Sequence, residues 1–81
     1  MKARALIGGS DYPPDVLKII FEAFDGAWTE VGPGVGTDPT RVEMARLSLA
    51  EMVLALAKVR PVECKRLKNS AVMAFRIRHR V

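Results

Sequence analysis

The sequence predicts an all-α protein: a three-helix, bundle-like domain over residues 10–81, preceded by a flexible N-terminal arm over residues 1–9 and expected to dimerise. Three observations favour this class. Apolar residues recur at spacings of three and four through three long segments. Pro- and Gly-containing breaks separate those segments. With 81 residues, of which 49% are hydrophobic and 27% charged, the chain has the composition of one small folded domain.

The arm is predicted because residues 1–9 show no sustained period and end in Gly8-Gly9, a pair with wide conformational freedom. The segment also has only three consecutive apolar residues after Arg4, whereas the core of a secretory signal needs roughly 7–15. No apolar run approaches the roughly 20 residues that cross a bilayer, so no membrane association is expected. Cys64 is the single cysteine. It cannot form an internal disulfide, which favours a cytoplasmic location.

The first predicted helix covers residues 12–31. Its start is predicted within residues 10–15, where cap-type side chains precede Pro13 and Pro14, which suit a first helical turn but not a helix interior. Its apolar residues then fall on one broad face at 100° per residue, namely Val16, Leu17, Ile20, Phe21, Ala23, Phe24, Ala27, Trp28 and Val31. Residues 32–36, of sequence GPGVG, are predicted to end the helix because glycine supplies positive φ and proline lacks an amide hydrogen.

The second predicted helix covers residues 38–59, with Asp38 as its N-cap and Pro39 at its first position. Its core stripe is the clearest periodic pattern in the chain and comprises Val42, Ala45, Leu49, Met52, Leu56 and Val59. Leu47 and Leu54 lie about 120–140° round the same helix and form a second apolar strip.

Two apolar sides on one helix exceed what so short a chain is expected to cover. We therefore expect a homodimer, or association with another protein, in which the second strip meets the partner. The candidate protein interface consists of Met44, Leu47, Ala50, Leu54 and Ala57. Val72 and Met73 are expected to extend this patch if the chain has no partner.

The third predicted helix covers residues 61–78 and begins after the break at Arg60-Pro61. Its buried stripe should comprise Cys64, Leu67, Ala71, Ala74 and Phe75. Charge is concentrated in this part of the chain. Residues 61–81 carry six Lys/Arg against Glu63 alone, whereas residues 1–60 carry seven Lys/Arg against eight Asp/Glu.

This basic helix makes nucleic acid the alternative partner, because Lys, Arg and Asn side chains reach phosphates and base edges. The candidate anion or nucleic-acid contacts are Lys65, Arg66, Lys68, Asn69, Arg76 and Arg80. The usual turn glycine and interleaved aromatic residues are missing, which weakens this interpretation. A competing interpretation pairs the arginines at the end of this helix with Asp25 and Glu30, either within one chain or between subunits.

Catalytic and metal sites find little support in the sequence. Cys64 and His79 are 15 residues apart, which separates them by about 22 Å along one helix and prevents a shared metal or a Cys-His pair. Carboxylate pairs such as Glu22 and Asp25 are typical of a helix surface. Residues 32–37 resemble a phosphate-cradling loop but lack its lysine, which leaves open an anion at the start of the second helix. We predict no enzyme activity, no cofactor, no metal and no small-molecule substrate.

Residues 21–28 (FEAFDGAW), the Gly/Pro loop and residues 45–57 (ARLSLAEMVLALA) together resemble a pattern in short uncharacterised bacterial all-helical proteins. The resemblance covers roughly residues 20–75 and its motifs are packing residues. It implies an all-helical fold and brings no activity or catalytic residues. An acidic residue often precedes the proline that opens the third helix in that pattern, whereas this chain has Arg60.

Overall fold

The computed structural model of the chain describes residues 2–59 and 62–79. Within these residues there are four α-helices and no strand: α1 (Lys2–Gly8), α2 (Pro14–Val35), α3 (Pro39–Leu56) and α4 (Cys64–His79). Helix α2 packs against both α3 and α4, α3 packs against α4, and α1 packs against α3 and α2. The all-α prediction is confirmed. The predicted break at Arg60-Pro61 and the candidate contact Arg80 lie outside the described residues.

Residues 2–8 form a helix, which corrects the prediction of a flexible arm over residues 1–9. Ala3 and Ile7 lie one helical turn apart and are both fully buried. Arg4 links α1 to α2, because its Nη1 donates to both carboxylate oxygens of Asp25 at 3.0 and 3.2 Å. A seven-residue helix is not stable in isolation, so tertiary packing holds α1 in place.

Helix α2 continues through Pro33 to Val35, four residues beyond its predicted end. Pro33 lies in the last turn, where its missing amide leaves only one carbonyl, that of Thr29, without its helical partner. The buried side chain of Val35 stabilises this extra turn. The C-cap residue is Gly36, whose φ of 97° is open to glycine and strained for other residues. The predicted apolar face is confirmed, with Val16, Ile20, Ala23, Phe24, Ala27 and Val31 all buried.

Helix α3 begins as predicted. The Oδ1 of Asp38 accepts a hydrogen bond of 3.0 Å from the amide of Thr40, and Pro39 occupies the first helical position. The helix ends at Leu56, three residues earlier than predicted, so Val59 leaves the expected core stripe and is exposed. The helix buries Ala45, Leu49, Ala50 and Val53, and its C-cap residue Ala57 is buried as well.

Helix α4 buries Leu67, Ala71 and Phe75, as its periodicity predicts. Val72 is also buried, which corrects its assignment to an exposed apolar patch. Cys64 and Ala74, both predicted on the buried stripe, are only half-buried. The core of the described residues therefore runs between α2, α3 and α4 and is extended by Ala3 and Ile7 of α1.

Candidate functional site

The second apolar strip of α3 is covered in part by the chain itself. Ala50 is 0% exposed and Ala57 is 1% exposed, so both leave the predicted protein interface and join the core. Leu47 and Leu54 are half-buried and pack against that core. Helices α1, α2 and α4 of the same chain all pack against α3. Of the five predicted interface residues, only Met44 is largely exposed, at 67%.

The largest exposed apolar side chains of α4 lie instead on the helix surface that faces away from the core. Met73 is 65% exposed and Ile77 is 76% exposed, and they are one helical turn apart. We call their surroundings the outer face of α4. It consists of Lys65, Arg66, Asn69, Met73, Arg76 and Ile77, which are all exposed. At 100° per residue these six positions fall within a sector of about 120°, so they form one continuous surface.

The outer face is basic, since three of its six residues are Lys or Arg. Within the described residues, Lys65, Arg66 and Arg76 have no acidic partner. Lys68, another predicted nucleic-acid contact, is different because its Nζ lies 3.2 Å from the Oε2 of Glu30. The aliphatic part of Lys68 crosses the backbone of α2 at Gly26, where an added Cβ would lie 2.9 Å from the lysine Cδ. Lys68 therefore belongs to the α2–α4 contact.

The expected pairing of Asp25 and Glu30 with the arginines at the end of α4 is not observed among the described residues. Asp25 pairs with Arg4 of α1, and Glu30 pairs with Lys68 near the start of α4. These two acids of α2 are thus paired with cations that lie outside that arginine cluster. Arg76 and Arg78 are exposed and lack an acidic partner within the same residues.

A second surface feature is an open cleft of about 660 Å3, which we call the end cleft. It is lined by the end of α2, the first turns of α3 and the last turn of α4. Arg41 and Arg78 line it from two different helices, together with Met44, Ser48, Phe75 and His79. Because these residues lie in distant parts of the chain, only the tertiary structure brings them together.

Ser48 and His79 connect α3 to α4 at the wall of this cleft. The Oγ of Ser48 lies 3.0 Å from the Nε2 of His79. The His79 ring also stacks on Phe75, with 4.2 Å between the ring centroids and 27° between the planes. A serine and a histidine in hydrogen-bond contact are the first two members of a nucleophile-base arrangement, which further requires a group that orients the base. Among the described residues, no acidic side chain hydrogen-bonds to His79.

Known proteins offer no guide to the role of these surfaces. Family models, curated proteins and solved structures give no match to this chain. The resemblance of residues 20–75 to short bacterial helical proteins therefore stays a prediction. In the part of the chain that the structure describes, we find neither a helix with the length and apolarity to cross a bilayer nor three His, Cys, Asp or Glu residues grouped as metal ligands.

Sequence reasoning identified the cations of the outer face but missed Ile77 as a companion of Met73. The signal was available, since residues four apart on a helix lie on the same face. No comparable signal in the sequence predicts that Arg41 and Arg78 line one cleft, or that Ser48 contacts His79. Both features depend on how α3 and α4 pack against each other, and the spacing of apolar residues within either helix does not determine that packing.

Proposed function

We propose that this protein is a small, non-catalytic helical interaction protein that binds an acidic protein surface through the outer face of α4. The observation that carries the proposal is the pair of exposed apolar side chains, Met73 and Ile77, set among cations that have no acidic partner in the described part of the chain. Protein interfaces have this organisation, with an apolar centre and a polar, charged rim. The single cysteine favours a cytoplasmic setting for this activity.

Burial of apolar surface provides the driving force for binding at this face. Full burial of one Met or Ile side chain contributes about 1.5–3 kcal/mol, so covering both gives several kcal/mol before the cost of association is subtracted. Lys65, Arg66 and Arg76 add charge complementarity, which selects acidic partners and speeds their encounter. A partner surface with carboxylates around an apolar centre fits this face best.

A nucleic acid is the alternative partner, and the arrangement of the face disfavours it. Phosphate contacts need cations but gain nothing from an exposed Met-Ile pair at the centre. Lys68, one of the expected contacts, is already paired with Glu30. The two hypotheses therefore differ in the role of the apolar pair, which can be tested directly.

The test compares the partners that co-purify with the wild-type protein and with the double variant Met73→Ser/Ile77→Ser. We expect an acidic protein that co-purifies with the wild type, is lost with the double variant and with Arg76→Glu, and is kept with the control Arg78→Gln. Light scattering of the same proteins identifies a second copy as the partner if the mass falls with the double variant.

Gel-shift titrations at low salt, with duplex and single-stranded nucleic acids, complete the comparison. If binding to nucleic acid depends on Lys65, Arg66 and Arg76 but is unchanged by Met73→Ser/Ile77→Ser, the proposal is wrong and the alternative replaces it. If acidic partners survive the double variant, the outer face is not their binding surface.

A further inference from the structure

The end cleft has the size of a small-molecule site. Its volume of about 660 Å3 falls within the range of about 300–1,000 Å3 that is usual for ligand pockets in proteins. It lies at the meeting point of three helices, and its α4 lining (residues 75–79) is at least 27 positions away from its lining on α2 and α3 (residues 34–48). It does not include any residue of the outer face of α4.

The charges of the cleft favour an anion. Arg41 extends from the first turns of α3 and Arg78 from the last turn of α4, and neither has an acidic partner within the described residues. Among the described residues of the lining, Asp38 is the one carboxylate, and its Oδ1 already accepts a hydrogen bond from the amide of Thr40. Two guanidinium groups at one cleft are well suited to carboxylate or phosphate oxygens, which they bind through paired N–H groups.

Beside the arginines lie a stacked pair of rings, Phe75 and His79, and one methionine. Phe75 is fully buried and supports the His79 ring, whose Nε2 is in hydrogen-bond contact with Ser48. Met44 is largely exposed in the same lining and offers a flexible apolar contact. A ligand that combines a charged head with an apolar body would use both parts of the cleft.

We propose that the end cleft binds a small organic anion, a carboxylate or phosphate monoester that carries an apolar group. Arg41 and Arg78 hold the charged head, and Met44 and the stacked His79 ring contact the apolar body. This site is separate from the protein-binding surface, and neither requires the other.

The test is a titration of the full chain with phenyl phosphate and with benzoate. Binding is monitored through amide chemical shifts in NMR spectra and by calorimetry. Two control ligands separate the parts of the anion: inorganic phosphate has the charged head without the apolar body, and benzyl alcohol has the apolar body without the charge. We expect saturable shifts at residues 38–48 and 75–79 with at least one organic anion, and binding at least tenfold weaker with inorganic phosphate or benzyl alcohol. The stronger of the two organic anions identifies the head group as phosphate or carboxylate.

Arg41→Gln and Arg78→Gln should each weaken binding of the organic anion by about tenfold or more, since each removes a charge-assisted contact. Arg76→Gln is the matched control, because it removes the same charge from the same helix outside the cleft. It should change the affinity by less than about twofold. Met44→Ala should weaken phenyl phosphate binding while leaving inorganic phosphate binding unchanged.

Two results would overturn the proposal. One is the absence of saturable shifts at the cleft with both organic anions. The other is an equal loss of affinity in Arg76→Gln and Arg78→Gln, which would indicate attraction by net charge alone. Met73→Ser/Ile77→Ser should bind the anion as the wild type does, so failure of the cleft and failure of the protein-binding surface are distinguishable.

Discussion

The hydroxyl of Tyr12 donates a hydrogen bond of 2.8 Å to the carbonyl oxygen of Leu54. The last four carbonyls of a helix have no partner within it in the regular α-helical pattern. In α3, the carbonyls of Val53, Ala55 and Leu56 accept from amides of the turn that follows the helix. The carbonyl of Leu54 accepts from Tyr12, so the segment between α1 and α2 completes the end of α3.

Tyr12→Phe removes this hydroxyl and preserves the ring. We expect it to lower the free energy of unfolding by about 1 kcal/mol, because a half-buried carbonyl loses its partner. Urea denaturation monitored by circular dichroism measures the change. Thr29→Val is the control, since it removes an exposed hydroxyl that bonds to the Asp25 carbonyl within α2, and it should change stability by less than about 0.5 kcal/mol. Equal effects would contradict the assigned role of Tyr12.

Helix α1 should contribute to stability through Ile7, which is fully buried, rather than through its neighbour Leu6, which is partly exposed. Ile7→Ala should lower the free energy of unfolding by about 2–5 kcal/mol, the usual range for a buried aliphatic side chain. Leu6→Ala should cost less than about 1 kcal/mol. Urea denaturation of the two variants decides between α1 as a packed helix and residues 1–9 as a flexible arm, since an arm would make both substitutions neutral.

The burial of Ala50 predicts a steric effect on α3. Ala50→Leu adds a large side chain at a position that is 0% exposed, and overpacking there should lower the free energy of unfolding by about 1–3 kcal/mol. Ala55→Leu makes the same change at an exposed position of α3 and should cause no loss. Thermal denaturation of both variants provides the measurement. A neutral Ala50→Leu would indicate that Ala50 faces solvent or a partner, as the sequence alone had predicted.

Val72 and Met73 are neighbours in the chain but differ in environment, since the first is buried and the second is exposed. Val72→Ala should lower the free energy of unfolding by about 2 kcal/mol because it leaves a cavity in the core. Met73→Ala should change it by less than about 0.5 kcal/mol. Chemical denaturation of the two variants checks the orientation of α4, and the reverse order of effects would place the outer face on the core side.

Sequence patterns correctly predicted those features of the fold that depend on interactions within one or two helical turns. The Asp38-Pro39 start of α3 was predicted because a side-chain cap and a proline at the first position act within one turn. The buried face of α2 was predicted because a period of 3.6 residues places its apolar residues on one side. The end of α2 was not predicted, since Pro33 costs one hydrogen bond that the burial of Val35 offsets.

The candidate sites likewise combine features that the sequence predicts with features that depend on tertiary packing. The sequence by itself determined the all-helical class and the basic character of α4, because both depend on composition and on the spacing of residues within one segment. Only the tertiary structure decided that residues 2–8 form a helix, that Ala50 and Ala57 are buried, and that Ser48 meets His79. The physical reason is that each of these depends on contacts between segments far apart in the chain, whose free energy no local pattern of residues expresses.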